Sequence, residues 1–265
     1  MRKCYLGLIS LSLSFALFAS EGYSDEIRFI TEPTTSMDTS GRSFSNESEL
    51  TRELIQRLNQ TNDIEVYPWK RAYSIMLTEP NVALFPTTRT EARENEAKWV
   101  GPLLKVNWVL FAHKDSDIKL DNLEDAMKVD QICGYLGDAK FTYLEKKGFK
   151  NLVARYRSFD CIELLARHRV DLWVSSTNAL LWNIEADKDY LSEIKIVYMI
   201  DTKYLYYALS KDTPDETVSL LQETLNQMKK EGAFYKYYKE DFSEERIREF
   251  SKIEEPVFPW LNNTK

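Results

Sequence analysis

The sequence predicts an α/β protein of two lobes with a cleft between them, each lobe a mostly parallel sheet flanked by helices. Three observations lead there. Strand-like and helix-like runs alternate as βαβαβ from residue 26 to 86, the order that builds a parallel sheet with helices across it. The same alternation restarts near residue 129, after a long extended run. A last amphipathic helix, opened by Pro214 and closed by Gly232, follows both units, so the chain has to return to the first. At 265 residues, 43% hydrophobic and 13% aromatic, there is material for one large core or two smaller ones.

Taken in order, "EIRFIT" (26–31) alternates apolar and polar residues and reads as a strand. Leu50, Leu54, Ile55 and Leu58 then recur at helical spacing. "IEVYPW" is a second strand, "KRAYSIMLT" a short helix and "NVALFP" a third strand, before "VNWVLFAH" leaves the unit as an extended crossing. In the second unit "VDQICGYL" reads as strand, "DAKFTYLEKKG" as a helix closed by Gly148, and "LVARYR" as strand. "SFDCIELLARHR" is a helix with Ser158 as N-cap and Ile162, Leu165 and Ala166 inward. "VDLWVSS" is a strand, followed by a helix in "NALLWNIEA", a strand in "KIVYMI" and another extended run in "YLYYALS". In the final helix Val218, Leu221, Leu225 and Met228 share one face. The lobe limits that follow are 25–110 with 203–265, and 111–202. Two separate sheets are expected, and a single continuous sheet would sink this division.

At the N-terminus, "MRKCYLGLISLSLSFALFAS" sets Arg2 and Lys3 before an uncharged run from Cys4 to Ser20. That is the order of a cleavable secretory signal peptide over 1–24, with cleavage after Ser24, or after Ala19 or Ser20. The run is short for a membrane span; an N-terminal anchor is the alternative. Cys4 stands at the start of the run, not after it, so it is not the lipid-bearing cysteine of a lipoprotein, and the expected compartment is the periplasm. In an oxidising compartment Cys133 and Cys161 are expected to form a disulfide. Cys133 lies in the first strand of the second unit and Cys161 in the first turn of the helix after the next strand. Neighbouring parallel strands would bring them close; two separate buried thiols are the other reading. A formal net charge of −7 without a basic block argues against nucleic acid or an anionic membrane as partner.

Little in the chain suggests catalysis. The two histidines, His113 and His168, lie far apart in sequence with no Cys or carboxylate at ligand spacing, so no metal site is expected. No serine sits in a nucleophile elbow and the eight glycines are scattered, so neither an enzyme nor a cofactor is expected. Against that background "FPTTRTEAREN" (85–95) stands out, with Thr88, Arg89 and Arg93 where a strand gives way to a helix and Thr90 as N-cap. In open α/β sheets ligands gather at the carboxyl ends of strands, beside helix N-termini. A guanidinium there can grip a carboxylate through two parallel bonds. Arg89 either shares such an anion or braces Glu53 or another acid. The competing reading pairs Arg93 with Glu94 or Glu96 at the surface.

With these segments in hand, the chain resembles the family 3 periplasmic solute-binding proteins, the polar-amino-acid class of ABC-transporter binding components. "YPWKRAYSIMLTEPNVALFP", "TTRTEARENEAKWVGPL", "CIELLARHRVDLWV" and "YALSKDTPDETVSLLQETLNQMKKEGAFYKYY" are similar, in order, to that family's landmarks, from Ile27 to about Phe242. The resemblance implies a type II periplasmic binding fold hinged on two crossover strands. It implies a monomer that captures a small-molecule ligand and passes it to an ABC permease, with a membrane receptor as the other partner. It implies that Arg93 clamps a ligand carboxylate beside Thr88, that Trp69 stacks on the ligand, and that Glu32 meets its side chain. Gly137 and Asp138 would open the helix that completes the carboxylate site. The family's aspartate for the ligand's ammonium group is replaced by Ser175 or Ser176, and its loop aromatic by Thr34, Thr35 and Ser36. The amino-acid clamp is therefore incomplete, and the expected ligand is a small polar, carboxylate-bearing solute, an amino acid or similar. The same fold hosts a periplasmic dehydratase of prephenate-like acids, which would need a general acid such as Glu32 or Asp138.

Overall fold

The computed structural model describes residues 26–33, 45–179 and 188–263. The expected signal peptide, Thr34 to Ser36, and nearly all of the helix expected in "NALLWNIEA" lie outside the described residues.

The first unit contains β1 (Arg28–Thr31), α1 (Asn46–Arg57), β2 (Glu65–Val66), α2 (Trp69–Thr78) and β3 (Val82–Thr88). Helix α1 buries the recurring Leu50, Leu54 and Ile55, and Ser45 Oγ caps it by accepting from Ser48 N at 3.2 Å. Strand β2 is shorter than expected because Pro68 offers no N–H to a ladder; the chain turns there and α2 starts at Trp69. Strand β3 runs two residues past the expected end, and its register with β8 shifts between Leu84 and Thr87, around the donorless Pro86.

A 3-10 turn (Glu91–Glu96) leads into β4 (Lys98–His113), and a second (Leu123–Lys128) precedes β5 (Ile132–Tyr135). Then come α3 (Ala139–Lys146), β6 (Leu152–Arg155), α4 (Ser158–Ala166), β7 (Leu172–Ser176) and α5 (Lys188–Ser192). The chain returns along β8 (Ile194–Leu209) to α6 (Asp215–Lys230), α7 (Ala233–Tyr238), α8 (Glu244–Phe250) and a closing 3-10 turn (Pro259–Asn263). "KIVYMI" and "YLYYALS", expected as separate runs, are thus one strand. Helix α4 begins at Ser158 itself with Arg157 in the cap position, so Ser158 is not its N-cap. Thr90 does occupy a cap position, but of a 3-10 turn, and its side chain makes no capping bond.

Strands β2, β1 and β3 are mutually parallel neighbours, and so are β6, β5 and β7. The two crossings, β4 and β8, are each 16 residues long and pair antiparallel from Lys98↔Leu209 to His113↔Ile194. The eight strands therefore form one ladder, β2-β1-β3-β8-β4-β7-β5-β6, and the expectation of two separate sheets is corrected. The reason is backbone satisfaction: two adjacent extended crossings supply each other's donors and acceptors. The ladder still has two ends with different partners. Strand β8 pairs with β3 through its last residues, β4 with β7 through Trp108–Ala112, and the β4–β8 register breaks three times in between and beyond.

Each end carries its own core on both faces. Phe29, Leu54, Phe85 and Leu225 pack on one face of the first group, and Ile30, Met76 and Leu84 on the other. Phe111, Cys161 and Trp173 fill one face of the second group, and Ile132, Leu144 and Leu172 the other. Cys133 and Cys161 are disulfide-bonded inside that second core, with Cα atoms 5.5 Å apart, as the strand order led us to expect.

Candidate functional site

Three parallel strands of the first group end in a common place. Glu32 follows β1, Trp69 opens α2 just beyond β2, Thr88 is the last residue of β3, and Arg93 lies in the 3-10 turn after it. From the second group come Asp138, between β5 and α3, and Ser176, the last residue of β7. Glu32, Trp69, Thr88, Arg93, Asp138 and Ser176 all line one cavity of about 40 Å3, so it lies between the carboxyl ends of both parallel groups. That volume accommodates a few waters. Arg89 is not among the lining residues.

The two groups touch directly across the cavity. Trp69 Nε1 donates to Gly137 O at 3.0 Å, Arg93 Nη2 to the same carbonyl at 3.3 Å, and Trp69 N to Tyr135 Oη at 3.4 Å. Gly137 can present that carbonyl because its φ of 80° lies in the left-handed region, which costs a glycine nothing. Asp138 caps α3 by accepting from Lys140 N at 2.8 Å and is paired with Lys140 Nζ at 2.9 Å.

The two arginines of "FPTTRTEAREN" have different surroundings. Arg89 donates through Nε and Nη2 to Glu94 at 3.0 and 2.8 Å and through Nη1 to Glu255 at 2.7 Å. Its guanidinium also lies against the rings of Tyr206 and Phe258. Arg89 therefore braces acids, as one of its two expected roles had it. Arg93 is buried, and its guanidinium packs 5.3 Å from the Trp69 ring and 4.9 Å from the Tyr73 ring. Its protein hydrogen bonds go to carbonyls, and no described carboxylate pairs with it. The surface pairing with Glu94 or Glu96 does not form: Glu94 accepts from Arg89 and from Trp260 Nε1, and Glu96 accepts from Tyr73 Oη.

Burial pushes the Glu32 carboxyl up to about 7; the charge of Asp138 adds to this, while Lys140, the Tyr135 hydroxyl and Arg93 pull the other way. Tyr135 is pushed up by burial and then by Glu32. The cavity thus holds one guanidinium without a carboxylate partner among the described residues, one Lys–Asp pair and one carboxyl that burial raises.

Sequence reasoning missed Trp108, Lys140, Val106 and Leu205 in the lining. Lys140 had a usable signal, since a cation two residues after a helix cap falls back on that cap. Trp108 had none, because β4 reads as continuous apolar strand. The histidines held another surprise: far apart in sequence, the rings of His113 and His168 meet at 3.8 Å. Among the described residues no group of three or more His, Cys, Asp or Glu could hold a metal ion.

No protein-family description matches the chain, and no curated protein sequence does. Solved structures do. A histidine kinase sensor domain with similarity to periplasmic binding proteins is 20% identical and superimposes with a TM-score of 0.71, over 80% of this chain and 95% of that one. An ancestral arginine-binding protein bound to arginine is 18% identical with a TM-score of 0.69, over 82% and 98%. A substrate-binding protein of an ABC uptake transporter from Streptococcus pneumoniae, with bound histidine, is 14% identical with a TM-score of 0.71, over 83% and 93%. Identities at this level speak for architecture: the chain has the two-lobe α/β fold of the periplasmic binding proteins.

Proposed function

We propose that this protein is a periplasmic solute-binding protein that captures a small polar, carboxylate-bearing solute between its two lobes and delivers it to an ABC importer. One observation carries the reading. Arg93 is a buried guanidinium without a described carboxylate partner, placed in a cavity where both parallel groups end. A desolvated guanidinium without an ion-pair partner among the described residues favours an anionic group far more than a surface arginine does. In this reading Arg93 grips the carboxylate with Thr88 beside it, and Trp69 is the shelf. Glu32 faces any cationic part of the ligand, and Asp138 and Ser176 close from the second lobe.

With one ladder in place of two separate sheets, the lobes are its two ends, over 25–110 with 203–265 and over 111–202, and the signal peptide over 1–24 is removed on export to leave a monomer. Ligand admission requires the Trp69–Gly137 and Arg93–Gly137 contacts to part, which makes β4 and β8 the hinge. The structural neighbours that bind arginine and histidine support an amino acid or a similar solute. The sensor-domain neighbour supports a membrane receptor as the alternative partner to a permease. Native mass spectrometry of protein purified without refolding tests the central claim. A bound small acid that is lost in Arg93→Ala is expected; the same adduct retained in that variant would defeat the assignment.

A second reading rests on Glu32. A cavity carboxyl held near neutrality is suited to general-acid work, as in a dehydratase of prephenate-like acids. Formation of the aromatic product from prephenate, lost in Glu32→Gln, would establish it, and absence of turnover would remove it.

A further inference from the structure

A second hollow, of about 500 Å3, lies between the C-terminal turns of α6 and α8 and the segment that follows α8. Lys229, Lys230, Arg248 and Lys252 line it against a single acid, Glu254, in a chain whose net charge is −7. Lys229, Lys230 and Arg248 share a local reason to be there, because cations in a last helical turn offset the carbonyl end of the helix. That reason does not account for the burial of Lys229. It is only 7% exposed, its Nζ donates to Lys252 O at 3.1 Å, and it packs 5.3 Å from the centre of the Phe234 ring. No described carboxylate lies within ion-pair distance of it, and Glu255, whose charge it feels, is held by Arg89. Burial pushes the ammonium down to about 7. A methionine would fill the same space without desolvating a charge.

We propose that this hollow is an anion site for a phosphate group, borne by a phospholipid headgroup or by a small soluble phosphate compound. Lys229 forms its floor, and Lys230, Arg248 and Lys252 its rim. Lysine ammonium groups suit phosphate as point charges. Arg248, with a side chain 72% exposed and a loose 3.3 Å contact to Glu244, is free to turn inward. Glu254 opposes the anion and limits its affinity. The site shares no lining residue with the cleft.

The test is calorimetric titration of the full chain with inorganic phosphate at low ionic strength, together with cosedimentation on phosphatidylglycerol and phosphatidylcholine vesicles. Binding of phosphate assigns the soluble source; selective binding to phosphatidylglycerol vesicles assigns the headgroup. For whichever probe binds, Lys229→Met weakens binding about tenfold or more, since one partner of a desolvated charge pair is removed. Arg248→Gln, at a side chain 72% exposed, weakens it a few-fold; Glu254→Gln strengthens it, and Arg93→Ala leaves it unchanged. Failure of both probes to bind, or undiminished binding in Lys229→Met, would overturn the proposal.

Discussion

Replacing Arg89 and Arg93 by alanine, one at a time, separates a structural guanidinium from a ligand-gripping one. Arg89 has an 8% exposed side chain paired to Glu94, 16% exposed, and to Glu255, 54% exposed. The Glu255 arm contributes little, since solvent screens it. The Glu94 arm is more sheltered, between a buried guanidinium and a half-buried carboxylate. Burial raises the Glu94 carboxyl, but Arg89 and Trp260 hold it below the ordinary range, so losing Arg89 strands a charge. Arg89→Ala should cost about 3 kcal/mol of stability, the low end for a broken buried pair, because Glu94 is only half-buried. At roughly 2–4 °C per kcal/mol for a chain of this size, Tm falls by about 6–12 °C. Arg93→Ala strands no described carboxylate and loses ring contacts worth about 1 kcal/mol. Its effect falls on binding, a loss of about 2–5 kcal/mol, or roughly thirtyfold to several thousandfold in Kd. Arg93→Lys recovers little, because an ammonium has neither the fork nor the stacking plane. Thermal melts paired with calorimetric titration of the copurified ligand, and of arginine, glutamine and histidine, read both effects. Unchanged affinity in Arg93→Ala, or an unchanged Tm in Arg89→Ala, would refute the division of labour.

Reduction of Cys133–Cys161, which closes a loop of 28 residues, should cost roughly 3 kcal/mol on chain-entropy grounds; thiol counting in denaturant without reductant should find no free thiol in the described pair. Burial pushes the Glu47 carboxyl up to about 7, so the folded state holds its proton more tightly than the unfolded chain does. Its contribution is complete below about pH 4.5 and lost as pH rises through about 7. Urea unfolding should therefore show Glu47→Gln gaining on wild type by about 3 kcal/mol between pH 4 and pH 8. Trp69→Ala removes the ring beside Arg93 and should weaken ligand binding by about 1–3 kcal/mol in the same titrations. A Cβ at Gly134 would lie 2.4 Å from Phe141 Cδ2 and 2.8 Å from Val174 Cγ1, so Gly134→Ala should cost about 1–3 kcal/mol by denaturant melt.

Much of this was legible before any coordinates. Period and punctuation determined the order of strands and helices, because a period of 2 or 3.6 and a Pro or Gly stop are local properties of the chain. The disulfide was expected from an oxidising compartment and from strand order, which brings Cys133 and Cys161 near each other, but two buried thiols stayed open until the structure paired them. The carboxyl-end rule pointed to Thr88 and Arg93, and the family resemblance added Glu32, Trp69, Asp138 and Ser176; all six line one cavity.

Tertiary structure alone decided the rest. Whether β4 and β8 pair with each other is a question of which long-range donors and acceptors meet, and no local pattern encodes it. The same holds for the His113–His168 contact and for Trp108 in the cavity wall. Above all, nothing in "TTRTEAR" distinguishes its two arginines. Arg89 is neutralised by Glu255, 166 residues away, and by Glu94 on its own turn, whereas Arg93 meets rings and carbonyls. A charge's role depends on what remains unpaired around it after folding, and that is a sum over neighbours the sequence does not bring together.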